Sequence, residues 1–112
     1  MDVRDAVTGQ PVAEAARAEI GVVKQQQTAE VVRAYASLEI ARTALPALSR
    51  AKDAAAANQA QADARFKAGL GTSVELADAE GLLTDAEVQL ALGRFEVARA
   101  RSALARVLGE TF

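Results

Sequence analysis

The chain has 112 residues, which suits a single domain or a piece of a larger one. Hydrophobic residues make up 51% of the sequence but aromatic residues only 4%, so small side chains, chiefly alanine, must supply most of any core. The 13 basic and 15 acidic residues are well mixed and give a formal net charge of −2. This balance argues against a nucleic-acid-binding protein, which would show a basic face.

Several residue types that carry chemistry are missing from the sequence. There is no cysteine for a disulfide or a thiolate site, and no histidine, the commonest general base and metal ligand. The acidic residues Asp78, Glu80, Asp85 and Glu87 do not have the spacing of a calcium loop, so a solvated acidic face is expected. We therefore expect no enzyme activity, no metal and no cofactor. The sequence has no run of about 18 apolar residues, so no transmembrane helix is predicted. No signal peptide is recognised.

The first half of the chain predicts one long helix over residues 12–68, preceded by an irregular segment at 1–11. Good helix formers dominate it. Pro46 cannot donate a hydrogen bond to the carbonyl of Arg42, which predicts a kink there, with a full break as the alternative. Apolar residues recur at the alternating three-and-four spacing of a coiled-coil seam. They are Val31, Ala34, Leu38, Ala41, Leu45, Leu48, Ala55, Ala62 and Phe66.

The second half predicts another long helix, over residues 73–108, with a tail at 109–112. Large residues repeat every seventh position, and a second, mostly small set lies three residues after each of them. The large set is Leu76, Leu83, Leu90, Val97 and Leu104, and the partner set is Ala79, Ala86, Gly93, Ala100 and Val107. Gly109 is a stop signal of the kind that follows a helix.

The stretch between the helices, residues 69–72, predicts a tight turn. Gly69 suits the left-handed conformation that ends a helix. Thr72 and Glu75 have the spacing of a capping box, in which the Thr72 hydroxyl accepts from the Glu75 amide and the Glu75 carboxylate accepts from the Thr72 amide. A helix stop followed by a capped restart predicts an antiparallel helical hairpin.

Folding the two seams together predicts an all-α chain, a long antiparallel coiled-coil hairpin with an N-terminal helical extension. This register pairs Ala62 with Ala79, Ala55 with Ala86, Leu48 with Gly93 and Leu38 with Leu104. Residues 12–32 have no partner in this arrangement, so they should either self-associate or fold back as a third helix. A face with Val74, Leu82, Val88, Leu92 and Phe95 also stays uncovered.

The sequence resembles the TolC-like outer-membrane efflux protein family. The resemblance is carried by VVRAYASLEIA at 31–41 and ARFKAGLGTSVELADAEGLLTDAEVQLALGRFEVARARSALARVLG at 64–109. Its signature is an aromatic residue after arginine, then Ala-Gly, a short turn, an acidic residue and a helix ending in Leu-Gly. The signature residues are Arg65, Phe66, Gly69, Glu75, Ala79, Leu104 and Gly109.

The resemblance implies a transport role. Members of this family are trimeric channel-tunnels, with strands in the outer membrane and helical hairpins in the periplasm. The hairpin tip docks a periplasmic adaptor in tripartite efflux or type I secretion machines, which connect indirectly to an inner-membrane pump. By this resemblance, the adaptor-contacting tip is Arg65, Lys67, Ala68, Gly69, Leu70, Gly71 and Thr72. Glu75 would lie at the channel aperture, although helix capping explains it without a gating role.

Two departures from the family pattern keep other interpretations open. The sequence holds one hairpin where the family has two, and no convincing strand flanks it, so an excised hairpin or the product of a truncated gene is expected. One alternative is the α-hairpin of the periplasmic adaptor itself, which looks alike. The other is a structural coiled-coil module without a transport role.

Overall fold

A computed structural model describes residues 10–111, with side chains described for residues 12–110. Two helices account for almost all of this range: α1, Gln10–Lys67, and α2, Ser73–Thr111. They pack along each other as an antiparallel hairpin that measures 95 × 20 × 15 Å. No strand occurs within the described range. The predicted all-α hairpin is confirmed.

Helix α1 continues without a break through Pro46, so the predicted alternative of a full break is wrong. Pro46 is exposed, and its ring therefore does not disturb the seam. The neighbouring Leu45 and Leu48 pack against α2, which holds this part of α1 in place despite the missing hydrogen bond to Arg42. The kink itself stays a prediction.

Both outer ends of the hairpin differ from the sequence-based expectation. Helix α1 begins at Gln10, two residues before the predicted start, and residues 1–9 of the predicted irregular segment lie outside the described range. Helix α2 continues through Gly109 to Thr111, where a tail was predicted. Gly109 does not have the positive φ of a helix-ending glycine, and an ion pair of 3.3 Å between Arg106 and Glu110 spans it.

The core is a single row of side chains along the line where the helices meet. Its buried members are Leu38, Ala79, Leu90, Val97 and Val107. The predicted register is confirmed at Gly93, because a Cβ built there would lie 2.5 Å from Cδ1 of Leu48. Ala62 and Ala79 line one groove together, as the same register requires. The alternation of large and small residues thus places the helices at close range.

The N-terminal part of α1 extends beyond the end of α2. Helix α1 has 58 residues and α2 has 39, so α1 is longer by roughly 30 Å. Val12, Ile20, Val22 and Val23 are each about half exposed or more in this extension. The extension continues the helix in one piece, so the alternative that it folds back as a third helix is wrong, and self-association stays a prediction. Within residues 10–111, neither helix is long and apolar enough to cross a membrane.

Candidate functional site at the hairpin tip

Helix α1 ends in a turn held by specific backbone hydrogen bonds. Gly69 has φ of 76°, the left-handed conformation that the sequence predicts for it. Its N–H donates to the carbonyl of Phe66 at 3.0 Å, and the N–H of Leu70 donates to the carbonyl of Arg65 at 2.8 Å. This pair of bonds is the Schellman motif, and it satisfies carbonyls that the end of a helix would otherwise leave unpaired.

Arg65 bonds this turn through both its carbonyl and its side chain, and the side-chain bond is not predicted by the sequence. Its carbonyl also accepts from the N–H of Gly71 at 3.1 Å, and its guanidinium donates from Nη2 to the carbonyl of Leu70 at 3.0 Å. The side-chain bond spans five residues and crosses the turn, whereas helix side-chain pairs are read from the sequence at spacings of three or four. No sequence signal could therefore have identified it.

Helix α2 restarts with half of the predicted capping box. The Thr72 hydroxyl accepts from the N–H of Glu75 at 3.1 Å, so Thr72 is the N-cap. The reciprocal bond, from the Thr72 N–H to the Glu75 carboxylate, is not formed in the described tip. The carboxylate lies beside Gly71 instead, where a Cβ would be 3.1 Å from Oε2. Glu75 still lies in the first turn of α2, where a negative charge is favourable.

The seven predicted tip residues lie together around this one turn. Six of them are exposed: Arg65, Lys67, Ala68, Gly69, Leu70 and Thr72, while Gly71 is partly buried. The Leu70 side chain is 70% exposed although its backbone is bonded to Arg65. A Cβ built on Gly69 would have no neighbour within 4 Å, so the backbone is open to close approach from outside. The tip thus presents Leu70 as a large exposed apolar side chain on an internally bonded loop.

Lys67 is the basic residue at the last position of α1. Its Nζ lies 2.8 Å from Oδ2 of Asp63, one helical turn earlier. The hydrogen bond to Asp63, followed by the charge of that carboxylate, raises the pKa of Lys67. The side chain of Lys67 is therefore directed back along α1, toward Asp63.

A shallow groove of about 310 Å³ lies between the two helices next to the tip. Arg65 lines it on the α1 side, and Glu75 and Asp78 line it on the α2 side. The groove is open, and no group of three or more potential metal ligands occurs among the described residues. The groove places Arg65 of α1 across from Glu75 and Asp78 of α2.

Large apolar side chains also remain exposed along the shaft of the hairpin. The predicted uncovered face of α2 is present, with each of its members at least half exposed: Val74, Leu82, Val88, Leu92 and Phe95. On α1, Val32, Tyr35 and Ile40 are more than half exposed. Exposed apolar surface on this scale is typical of a protein that packs against further subunits.

A comparison with known protein families matches the family described as outer membrane efflux protein, over residues 9–110. The match covers both helices and the tip between them. No curated protein and no solved structure matches the chain. Because the family match extends over nearly the whole chain, this chain belongs to the outer membrane efflux protein family.

Proposed function

We propose that the chain is a periplasmic hairpin of an outer-membrane channel-tunnel, which serves tripartite efflux or type I secretion and docks a periplasmic adaptor through its tip. The observation that carries this proposal is the tip itself, where an internally bonded loop holds Leu70 70% exposed. Family membership supports the efflux part of the proposal. The adaptor contact is supported by the geometry of the tip.

An internally bonded loop that carries an exposed leucine suits docking for a physical reason. Binding is opposed by the entropy lost when flexible segments become ordered, and a loop that is already ordered avoids most of this loss. Leu70 can enter an apolar hollow on the partner, while the bare backbone at Gly69 lets the partner come close. The adaptor residues that meet this tip should therefore form a small apolar depression with hydrogen-bonding groups at its rim.

The exposed shaft supports assembly with further copies of the hairpin. Leu92 and Phe95 lie one turn apart on α2 and are 53% and 61% exposed. In water, burial of such side chains is favourable by about 25 cal/mol per Å². We propose that neighbouring hairpins cover this surface in the parent, as in a trimer, and that an inner-membrane pump is reached only indirectly, through the adaptor.

The Glu75 carboxylate is available for a second role in such an assembly. Its carboxylate accepts no hydrogen bond from Thr72, and its place in the capping box is filled only by its backbone amide. A carboxylate that is not needed for the cap is available to act at the channel aperture. We propose this aperture role for the assembled parent, within the periplasmic portion of an outer-membrane protein.

Binding to the purified α-helical hairpin of a periplasmic adaptor tests the docking proposal. Leu70→Asp should abolish binding, because it places a charge where the partner offers an apolar hollow. Leu92→Asp is the control, since Leu92 is also an exposed leucine but lies far along the shaft. Equal binding by the chain and Leu70→Asp would contradict the proposal.

The same measurement separates the two other interpretations. An adaptor hairpin would bind the tip of an outer-membrane channel protein rather than another adaptor, and a structural coiled coil would bind neither. Both probes should therefore be used side by side. The family match favours the channel side, because the matched family is the efflux protein and not the adaptor.

A further inference from the structure

We infer that Arg65 is a positioning residue for the docking tip: it fixes the backbone of Leu70 and does not itself bind the adaptor. This inference rests on the proposed docking function. It changes the role expected for Arg65, which the sequence grouped with the contact residues.

The hydrogen bonds of Leu70 support this role. Its N–H donates to the carbonyl of Arg65 at 2.8 Å, and its carbonyl accepts from Nη2 of the same arginine at 3.0 Å. Both polar groups of the Leu70 backbone are therefore bonded to one residue. The peptide planes on either side of Leu70 are fixed, and the direction of its side chain is fixed with them.

The tip has few other means of holding Leu70. The residue is flanked by Gly69 and Gly71, and glycine has the greatest conformational freedom of any residue. Its side chain is 70% exposed, so packing contributes little to its orientation. Main-chain bonds to the carbonyl of residue 65 would form with any amino acid there. Only the bond to the Leu70 carbonyl depends on the arginine side chain.

Gly71 shows that the loop closes tightly onto Arg65. A Cβ at position 71 would lie 3.3 Å from Cβ of Arg65 and 3.6 Å from its carbonyl carbon. The first of these distances is shorter than an ordinary contact between side chains. A glycine at position 71 therefore lets the chain pass close over Arg65 and bring Leu70 within reach of the guanidinium.

Arg65 also lies on the groove side of the tip, whereas Leu70 does not. Arg65 lines the groove between the helices together with Glu75 and Asp78. The negative charges of these two residues favour a guanidinium on this side of the loop. Leu70 is not part of that groove lining, and it projects from the loop into solvent.

A double-mutant cycle tests the inference by adaptor-hairpin binding. Arg65→Gln should weaken binding by roughly five- to tenfold, because it removes a charge-assisted hydrogen bond. In a Leu70→Ala background the same substitution should cause no further loss, since a residue that acts only through Leu70 has nothing left to position. Arg65→Lys should recover part of the affinity by donating to the same carbonyl. Arg50→Gln, an exposed arginine farther along α1, is the charge-matched control.

A second measurement needs no adaptor. Amide hydrogen exchange of Leu70 and Gly71 should become several-fold faster in Arg65→Gln and stay unchanged in Arg50→Gln, while circular dichroism shows both variants still helical. Unchanged exchange in Arg65→Gln would overturn the inference. If Arg65→Gln weakens binding equally in the unchanged chain and in the Leu70→Ala background, the inference is also overturned, because Arg65 then contacts the adaptor directly.

The two proposals fail in different ways. If Leu70→Ala binds as tightly as the unchanged chain, the docking function is wrong at this tip, whatever Arg65 does. If Leu70→Ala weakens binding but Arg65→Gln does not, docking stands and the positioning role is wrong.

Discussion

Leu48 of α1 covers Gly93 of α2 so closely that any side chain at position 93 would force Leu48 to move. A Cβ there would lie 2.5 Å from Cδ1 of Leu48 and 3.3 Å from Cδ2 of Leu45. This contact fixes how far one helix can slide along the other, because any shift would bring Leu48 against a residue with a side chain. The register of the hairpin therefore depends on Leu48 packing over a glycine, Gly93.

We expect Gly93→Ala to destabilise the hairpin by about 1 kcal/mol. Alanine is favoured over glycine within a helix by about 1 kcal/mol, but the extra methyl group forces Leu48 out of its place, and overpacking of this kind costs about 1–3 kcal/mol. Urea unfolding followed by circular dichroism measures the difference. Gly81→Ala is the control, because no atom lies within 4 Å of its Cβ position, and it should stabilise by up to about 1 kcal/mol.

Leu48→Ala provides the compensating background for this prediction. With the leucine removed, Gly93→Ala should become stabilising, like Gly81→Ala. If Gly93→Ala has the same effect in both backgrounds, the contact does not determine the stability of the register.

Substitution of Gly69 tests the turn. Gly69→Ala should lower stability by about 1–2 kcal/mol, because φ of 76° places an L-residue in the left-handed region. Gly69→Asn should lose less, since asparagine adopts this conformation more readily. Thermal unfolding compares them with Gly109→Ala, a helical glycine with open space around it. A Gly69→Ala variant as stable as Gly109→Ala would argue against the left-handed turn.

Thr72 and Glu75 should differ in their contributions to stability. Thr72→Ala should cost about 1 kcal/mol, because it removes the hydroxyl that accepts from the Glu75 amide at 3.1 Å. Thr72→Ser keeps the acceptor and should be nearly neutral. Glu75→Gln should change stability by less than about 0.5 kcal/mol, since its carboxylate does not complete the capping box. A loss on Glu75→Gln as large as that on Thr72→Ala would show that the carboxylate does cap the helix.

Leu90 and Leu92 form a matched pair for the core. Leu90 is 6% exposed and Leu92 is 53% exposed, although they are two residues apart on the same helix. Leu90→Ala should destabilise by about 2–3 kcal/mol, at the lower end of the range for buried leucines because the core is thin. Leu92→Ala should lie within about 0.5 kcal/mol of the unchanged chain. Chemical unfolding of the monomer at low concentration distinguishes them.

The exposed apolar face should make the isolated chain self-associate. Sedimentation equilibrium should give a mass that rises with concentration, and the combined Leu92→Ser and Phe95→Ser variant should reduce that rise. Val22→Ser with Val23→Ser, in the extension of α1, tests the other exposed apolar region. A monomer at every concentration would contradict assembly through the shaft.

Much of the fold could be predicted because its determinants are local or periodic. The seven-residue repeat that contains Leu90 and Val97 identifies the buried face of α2, and Gly69 identifies the turn. Alignment of the two seams about that turn predicted Leu48 against Gly93, and the contact is present. Periodicity is sufficient here because a two-helix hairpin has only one way to bring its seams together.

The remaining differences between prediction and structure arise where residue spacing alone does not determine the conformation. Gly109 has the sequence of a helix stop, yet the helix continues through it to Thr111, and the ion pair of Arg106 with Glu110 bridges it. Glu75 has the spacing of a capping box, yet its carboxylate turns toward Gly71. The bond from Arg65 to the Leu70 carbonyl depends on the shape of the turn, which the sequence does not contain.

The one-row core has a consequence for how the hairpin loses its structure. Each buried side chain packs only against the facing helix and against the layers directly above and below it, so distant parts of the molecule do not stabilise each other, much as in proteins built from stacked repeats. Unfolding should therefore begin at the open end and advance layer by layer toward the tip. Amide exchange would show a gradient of protection along α2, slowest near Ala79 and fastest near Thr111, in place of one common rate.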